Sequence, residues 1–112
     1  LLRRAQLETE KVLLFEHTRL DYNALTLTDL ERDEVYQIPR KEFYLLYKLL
    51  SNPEKIFTRL DLLDDIWGME EDLDERLVDA CIKRVRQKFK ENKDFEIVTI
   101  RGLGYKGTIK NG

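Results

Sequence analysis

The sequence has 112 residues, 42% of them hydrophobic, and its 20 basic and 22 acidic side chains leave a formal net charge of −2 at pH 7. This length suits one domain with a buried core. A single cysteine and a single histidine exclude an intramolecular disulfide and a zinc cluster of cysteines and histidines, and the longest purely apolar run, 43–47, is far too short for a membrane span.

The charges are unevenly distributed along the chain. Seven acids and no base lie between residues 64 and 75, whereas residues 83–90 contain five bases and no acid. Because charges in physiological salt act over only about 8 Å, a local basic cluster can attract a phosphate despite the acidic total. The sequence therefore predicts two surfaces of opposite sign, although charge runs are also typical of helix faces that merely contact solvent.

The N-terminal part of the chain is typical of an antiparallel sheet. Residues 1–11 are rich in charge and lack a core pattern, as linkers do. Four short segments then favour strands, at 12–15, 19–22, 24–30 and 34–38. Phe15, Tyr22 and Tyr36 could form a base-stacking platform, but without flanking bases we interpret them as sheet packing.

Helical periodicity begins at Pro39, which we place at the first helical position. Apolar side chains then repeat at spacings of three and four up to a break at 51–53, namely Phe43, Leu46, Tyr47 and Leu50. A second helix is predicted after Thr58, which forms a capping box with Asp61, and Gly68 ends it.

The third predicted helix, over 74–90, has two chemically different faces. The apolar stripe consists of Val78, Ile82, Val85 and Phe89, and the opposite side presents Arg76, Ala80, Lys83, Arg84 and Gln87. We expect Asp72 to cap this helix, with Glu75 at the third position. Strands at 95–100 and 105–109 then form a hairpin around Gly102 and Gly104. A helix fits the major groove of DNA, and an arginine on a hairpin fits the minor groove.

Two short helices, a longer basic helix and a β-hairpin describe a winged helix. In order and spacing, the chain resembles the effector domain of OmpR/PhoB-type two-component response regulators, and the resemblance covers nearly everything from Val12 to Ile109. The matching residues are Glu42, Phe43, Leu45, Leu46, Leu49, Leu50, Pro53, Phe57, Arg59, Leu62, Leu63, Ile66, Trp67 and Gly68, then Arg76, Val78, Asp79, Ile82, Arg84, Arg86 and Lys88, then Thr99, Ile100, Arg101, Gly102, Gly104 and Tyr105.

The resemblance implies an α+β fold over residues 12–110, with an N-terminal four-stranded antiparallel sheet, three helices and a C-terminal hairpin wing. Residues 1–11 would be a linker and the end of a missing receiver domain. The implied function is sequence-specific binding of promoter DNA by a cytoplasmic regulator that needs no cofactor or metal. A sensor kinase would phosphorylate the receiver domain, and two copies would bind direct repeats as a tandem dimer.

The resemblance also implies roles for individual residues. The third helix would enter the major groove with Arg76, Ala80, Lys83, Arg84 and Gln87. The wing would contribute Thr99, Arg101, Gly102 and Tyr105, with Arg101 in the minor groove. Phosphate contacts map onto Trp67, Arg76, Thr99 and Tyr105. The family's surface for RNA polymerase maps onto the acidic loop with Met69, Glu70, Glu71 and Asp72.

Local arguments assign further roles within the third helix. We expect Asp79 to orient Lys83 or Arg86 instead of contacting a base, because phosphate repels an acid. Arg86 lies nearer the apolar flank than Arg84, so a structural ion pair is its expected role. We interpret Cys81 as a small packed residue and not a redox sensor.

Three other positions bear on the resemblance. The ring of Trp67 is expected mainly in the core, with its indole N–H free to reach a phosphate. His17 is expected on a surface turn. The family usually opens its first helix with a Leu-Thr pair whose hydroxyl caps the helix, whereas this chain has Ile38 and Pro39.

Other classes of function have less support. The pair Gly102 and Gly104 is too short for a dinucleotide fingerprint, and no pattern combines a nucleophile with a base, so we do not expect an enzyme. The main alternative is a winged-helix protein-interaction module that uses the acidic loop. A binder of double-stranded RNA is a further alternative.

Overall fold

A computed structural model describes residues 11–68 and 73–110 of the chain. Four strands come first, β1 (Val12–Leu14), β2 (Thr18–Asp21), β3 (Thr26–Asp29) and β4 (Glu34–Gln37). They are followed by α1 (Arg40–Ser51), β5 (Phe57–Thr58), α2 (Arg59–Trp67), α3 (Arg76–Lys88), β6 (Phe95–Ile100) and β7 (Gly104–Ile109). These are the predicted sheet, three helices and hairpin, with β5 in addition. No helix among the described residues is long and apolar enough to cross a membrane.

The N-terminal sheet is an antiparallel meander in the order β1-β2-β3-β4. Its register aligns Leu13, Leu20, Leu27 and Tyr36 in one row across the four strands. Leu20 and Leu27 are buried in the core, because alternate side chains of a strand point to the same face. The predicted meander is confirmed, with strand ends shifted by one or two residues.

The aromatic side chains of this sheet pack against other elements, as predicted. Tyr22 contacts the rings of Phe43, Tyr44 and Tyr47 on α1, with centroid distances of 6.1, 5.4 and 4.9 Å. Phe15 lies 6.2 Å from Phe95, and Tyr36 lies 6.1 Å from Phe89. The sheet is therefore joined to α1 and to the start of the hairpin by ring contacts.

Helix α1 is the centre of the core, with four side chains that are fully buried, Phe43, Leu45, Leu46 and Leu49. Pro39 is its N-cap and not its first helical residue, so the predicted start was one residue early. The helix has no side-chain cap, but the Pro39 carbonyl accepts a 2.9 Å hydrogen bond from the amide of Phe43. In contrast, α2 has the predicted capping box between Thr58 and Asp61, with both reciprocal bonds present.

The hairpin of β6 and β7 forms the wing, and β5 pairs with β7 in a three-stranded sheet ordered β5-β7-β6. Close backbone approach at this pairing requires glycine at position 104. A Cβ atom there would lie 1.9 Å from the carbonyl oxygen of Phe57. At the hairpin turn, Gly102 has a φ of +74°, in the left-handed region that favours glycine.

Asp94, the residue before β6, connects the wing to the N-terminal sheet. Its side chain is 3% exposed, and Oδ2 accepts hydrogen bonds from the His17 amide at 2.9 Å and the Thr18 hydroxyl at 2.5 Å. His17 lies on the turn between β1 and β2 as predicted, but its side chain is half-buried, with Nδ1 3.5 Å from Glu31. The two sheets are thus bonded to each other across the molecule.

Candidate nucleic-acid interface

Helix α3 separates apolar from polar side chains as the sequence predicts. Val78, Cys81, Ile82 and Val85 are at most 1% exposed. The predicted outer face is exposed along its whole length, at Arg76, Ala80, Lys83, Arg84 and Gln87. The helix is shorter than the predicted 74–90, because Phe89 is its C-cap. An exposed surface with three basic side chains therefore lies opposite the core.

The N-terminus of α3 differs from the prediction. Its N-cap is Glu75, which makes no side-chain cap bond, so a cap at Asp72 was placed too early, and Asp72 itself lies outside the described residues. Asp74 instead accepts the amide of Arg76 on Oδ1 at 2.9 Å and its guanidinium on Oδ2. This contact lowers the pKa of Asp74 and raises that of Arg76. Arg76 is 85% exposed, so solvent screens the pair and a phosphate can compete for the guanidinium.

The other predicted arginine of this face, Arg84, is held by a buried acid. Its Nε donates to Oε2 of Glu42 at 2.9 Å, while Nζ of Lys88 donates to Oε1 of the same carboxylate at 2.6 Å. The Glu42 side chain is 6% exposed and that of Arg84 is 56% exposed. Burial alone would raise the pKa of Glu42, but the bonds from Lys88 and Arg84 outweigh it and lower the pKa below its ordinary value.

Asp79 has different partners from those predicted. Its Oδ1 accepts the hydroxyl of Tyr105 at 2.6 Å, and its Oδ2 lies 3.3 Å from Nη1 of Arg59. The prediction that Asp79 orients Lys83 or Arg86 is wrong, because a wing residue and an α2 residue reach this carboxylate across the fold. Burial, followed by the bond to Asp79, raises the pKa of Tyr105 to about 12.

Arg86 joins α3 to the wing. Its guanidinium donates two bonds to the carbonyl of Ile97, at 2.8 and 3.2 Å, and one to the hydroxyl of Thr99 at 2.6 Å. It also lies 5.6 Å from the centre of the Tyr105 ring. Arg86 has a structural role, as predicted, but the predicted ion pair is absent from the described residues. Its partners are a carbonyl, a hydroxyl and an aromatic ring instead of a carboxylate. Thr99 and Tyr105, both predicted phosphate contacts, already have these partners within the protein.

The tip of the wing carries the predicted minor-groove residue. Arg101, Gly102 and Leu103 are all exposed. Within residues 11–68 and 73–110, neither Arg101 nor Lys83 forms an ion pair. Among the predicted DNA contacts, these two basic side chains can therefore meet a phosphate or a base without breaking an ion pair within the described part of the protein.

Trp67, at the end of α2, is half-buried and packs against the core as expected. Nζ of Lys41 lies 5.9 Å from its ring and donates to the carbonyl of Ile66 at 2.9 Å. A phosphate contact by the indole N–H stays a prediction. The proposed polymerase-contact residues Met69, Glu70, Glu71 and Asp72 lie outside the described residues.

Cys81 is a packed core residue, as predicted. Its side chain is fully buried, and burial raises the pKa of the thiol to about 12. A thiol that stays protonated is a poor nucleophile and a poor metal ligand.

One group of side chains in the described part of the chain brings possible metal ligands together. Ligand atoms of Glu16, His17 and Asp94 lie within 4.8 Å of one another. Oδ2 of Asp94 already accepts two hydrogen bonds from the protein, which accounts for this buried carboxylate by a structural role.

Residues 33–107 match the model of a protein family described as "Transcriptional regulatory protein, C terminal". The chain belongs to this family. Heme response regulator HssR of Staphylococcus epidermidis is 39% identical over 106 residues, which are 94% of this chain and 46% of that protein. HssR of Staphylococcus aureus is 49% identical over 70 residues, 62% of this chain and 31% of that protein. This OmpR/PhoB-type effector domain thus spans less than half the length of these curated relatives.

Solved effector domains have the same fold. The DNA-binding domain of Bacillus subtilis CssR superposes with a TM-score of 0.73 at 28% identity, covering 81% of this chain and 99% of that one. The Klebsiella pneumoniae RstA DNA-binding domain, solved in complex with the RstA box, gives 0.72 at 27% identity over 88% and 97% of the two chains. DrrB of Thermotoga maritima, an OmpR/PhoB homologue, gives 0.73 at 31% identity over 96% and 50%. The winged-helix fold is therefore confirmed.

Two residues of this effector domain, Glu42 and Arg59, bind side chains of α3 in a way that their sequence context did not indicate. Glu42 is one of the residues that match the family, but its sequence context gave it no role, and in the structure it binds Arg84 and Lys88 of α3. Arg59 belongs to α2 but lies 3.7 Å from Glu75 and 3.3 Å from Asp79 at the start of α3. A charged residue at a buried helical position, such as Glu42 beside Phe43, was the only signal available.

Proposed function

We propose that this effector domain binds promoter DNA sequence-specifically, with α3 in the major groove and Arg101 of the wing in the minor groove. The observation that carries the proposal is the exposed basic face of α3, next to a wing that Arg86 and Tyr105 hold against the same helix. The relation to the RstA domain, which was solved with its DNA box, supports a groove-binding role. In this arrangement α3 supplies base contacts and the wing supplies a second point of attachment.

The side-chain chemistry of the exposed face supports different DNA contacts for different residues. Lys83 and Gln87 are exposed on the face of α3 opposite its buried stripe, and Ala80 lies on the same face about one turn before Lys83. A glutamine can bond the N6 and N7 atoms of adenine, and an alanine methyl can contact the methyl of thymine. Lys83 and Arg76 suit phosphate or guanine. The sugar-phosphate backbone on either side of these bases would be contacted by Trp67, Thr99, Gly102 and Tyr105.

We further infer the setting of the domain in a longer regulator. Because the chain spans 46% of the S. epidermidis relative, a receiver domain would precede it, with residues 1–11 as the linker. Phosphorylation by a sensor kinase would favour a tandem dimer on direct repeats. The acidic loop 69–72 would contact RNA polymerase. Such a regulator acts in the cytoplasm by binding and not by catalysis.

A binding titration tests the central proposal. Labelled random genomic fragments are titrated with the domain at several salt concentrations, and nonspecific binding in the range of about 10⁻⁴ to 10⁻⁶ M that weakens with salt is expected. Lys83→Gln and Arg101→Gln should each lower the slope of log K against log salt by about one if they contact phosphate. Lys93→Gln is the matched control, since Lys93 is 72% exposed and pairs with Glu31 in the turn between β3 and β4.

The absence of salt-dependent binding would contradict the proposal once it is repeated with the full-length, phosphorylated regulator. That result would favour the alternative, a protein-interaction module. Equal competition by matched RNA and DNA duplexes would instead indicate recognition of duplex RNA.

A further inference from the structure

Glu42 is a buried carboxylate whose two oxygens have one cationic partner each. Oε2 accepts from Nε of Arg84, and Oε1 accepts from Nζ of Lys88. The acid belongs to α1 and both bases belong to α3, 42 and 46 residues further along the chain. The carboxylate is 6% exposed, whereas Arg84 is 56% and Lys88 is 40% exposed. The three groups therefore form a cluster whose acid is inside and whose bases reach the surface.

The way in which Arg84 uses its guanidinium is specific. An arginine has five N–H donors, one on Nε and two on each terminal nitrogen. Arg84 gives only Nε to Glu42, and within the described part of the chain its terminal nitrogens make no hydrogen bond to the protein. An arginine beside a free carboxylate commonly uses two parallel bonds, which would also engage one terminal nitrogen. Here Lys88 occupies the second carboxylate oxygen and so leaves both terminal nitrogens of Arg84 free.

We propose that Glu42 is a positioning residue that presents the two terminal nitrogens of Arg84 to one guanine of the operator. The inference rests on the proposed function and deepens it, because it names a base and the residue that orients its reader. Guanine offers two acceptors on its major-groove edge, O6 and N7, and arginine is their commonest bidentate partner. With Nε fixed on α1, the end of the guanidinium is the part that remains for such a contact.

The tether also has an energetic consequence for recognition. A free arginine loses rotamer freedom when it is immobilised at an interface, which opposes binding. Arg84 has already lost much of that freedom because a buried acid holds its Nε. Correct guanine contact then requires little further ordering, whereas a base without the two acceptors leaves the terminal nitrogens unpaired. Glu42 thus acts on sequence discrimination more than on general affinity for DNA.

The test uses a duplex selected by the effector domain from a random library. Each guanine of a half-site is replaced in turn by 7-deazaguanine, which lacks the N7 acceptor but keeps Watson–Crick pairing. We expect one guanine at which the replacement weakens binding about tenfold, and we expect Arg84→Met, which removes every donor of this side chain, to lose most of this sensitivity. That guanine is the one read by Arg84.

Two variants then separate positioning from phosphate binding. Glu42→Met removes the acceptor at similar volume, and Lys88→Met frees Oε1 so that Arg84 can bind Glu42 with a terminal nitrogen as well. Each should reduce the 7-deazaguanine effect to about threefold or less, since the bidentate contact is then poorly formed. Lys90→Met, at an exposed lysine near the end of α3, is the matched control and should keep the full effect. Loss of a phosphate contact would weaken binding to the guanine duplex and to the 7-deazaguanine duplex equally. The ratio of the two affinities would then stay unchanged.

Folding of each variant is checked by its circular dichroism spectrum and thermal unfolding. The inference is overturned if folded Glu42→Met and Lys88→Met keep the parent's full preference for guanine over 7-deazaguanine. It is also overturned if this preference depends on Arg84 at no guanine of the half-site. Should Glu42→Met fail to fold, Lys88→Met decides the question alone. Failure of the proposed function looks different, because the library would then yield no preferred duplex.

Discussion

The hydroxyl of Tyr105 on the wing donates a 2.6 Å hydrogen bond to Oδ1 of Asp79 on α3. The other oxygen of this carboxylate lies 3.3 Å from Arg59 on α2. Three elements that are separate in sequence therefore meet at one side chain. This contact fixes the wing relative to the helix that carries the proposed base-reading residues.

Tyr105→Phe tests the strength of this contact. The change removes the hydroxyl from a ring that is 9% exposed, and we expect a loss of about 1 kcal/mol in the free energy of unfolding, measured by urea denaturation. Tyr36→Phe is the matched control, because its hydroxyl bonds Glu34 on an exposed strand, and it should cost less than about 0.5 kcal/mol. Equal losses in the two variants would mean that the bond to Asp79 stabilises the fold no more than an exposed hydrogen bond does.

Alkaline pH should weaken the same contact. The pKa of Tyr105 is raised from 10.0 to about 12, first by burial and then by its bond to Asp79. The unfolded chain releases this proton at lower pH than the folded protein. The contribution of Tyr105 to the free energy of unfolding is therefore complete below pH 10.0 and is lost as the pH rises towards about 12. The free energy of unfolding should fall less steeply over this interval in Tyr105→Phe than in the parent chain. Parallel curves would contradict the assignment.

Acidic pH should act through Glu42. Its pKa in the folded protein lies below the ordinary 4.5, because Lys88 and Arg84 hold the charged form. The unfolded chain therefore takes up this proton first as the pH falls, so the stabilisation is complete above 4.5 and is lost below it. Urea midpoints measured between about pH 3 and 6 should depend less on pH in Glu42→Met than in the parent chain. An unchanged dependence would show that other carboxylates carry the acid sensitivity.

The two glycines of the wing should differ in their tolerance of alanine. At position 104 a Cβ would lie 1.9 Å from the backbone oxygen of Phe57, which cannot move away without breaking the pairing of β5 and β7, so we expect a cost of about 3 kcal/mol or more. At position 102 nothing lies within 4 Å and only the φ of +74° is unfavourable, so about 1 kcal/mol is expected. Thermal unfolding of Gly102→Ala and Gly104→Ala checks the order, and a reversed order would refute this account.

Arg101 should make binding sensitive to A·T content beside the site. A narrow minor groove in A·T-rich DNA has an enhanced negative potential that attracts arginine. Replacing A·T by G·C pairs in the flank should therefore weaken the parent domain and leave Arg101→Ala largely unaffected, as measured by gel shift. The same response in both proteins would remove Arg101 from the minor groove.

Local patterns in the sequence predicted the elements well because the forces behind them are local. The apolar stripe through Val78, Ile82 and Val85 marked the buried face of α3, and the spacing of Thr58 and Asp61 marked the start of α2. Strand β5 was missed because two residues are too few for an alternating pattern. It exists through its pairing with β7, which is a property of the whole fold.

The partners of charged residues could not be predicted in the same way. Asp79 has basic neighbours at helical spacing, and so Lys83 and Arg86 were the expected partners. The fold brings Arg59 and the Tyr105 hydroxyl closer, from 20 and 26 residues away. The same holds for Glu42, whose partners are on another helix. Sequence periodicity identifies the face of a helix but not the element that will cover it.

The hydrogen bonds at Asp94 affect how far the domain can be truncated from its N-terminus. The family match begins at residue 33, after the first three strands, yet both donors to Oδ2 of Asp94 come from His17 and Thr18. A shortened chain starting at residue 33 would leave the Asp94 carboxylate before β6 without these two donors, and burying a polar group without hydrogen-bond partners costs free energy. The amino-terminal meander therefore stabilises the C-terminal end of the domain, although the family match does not include its first three strands.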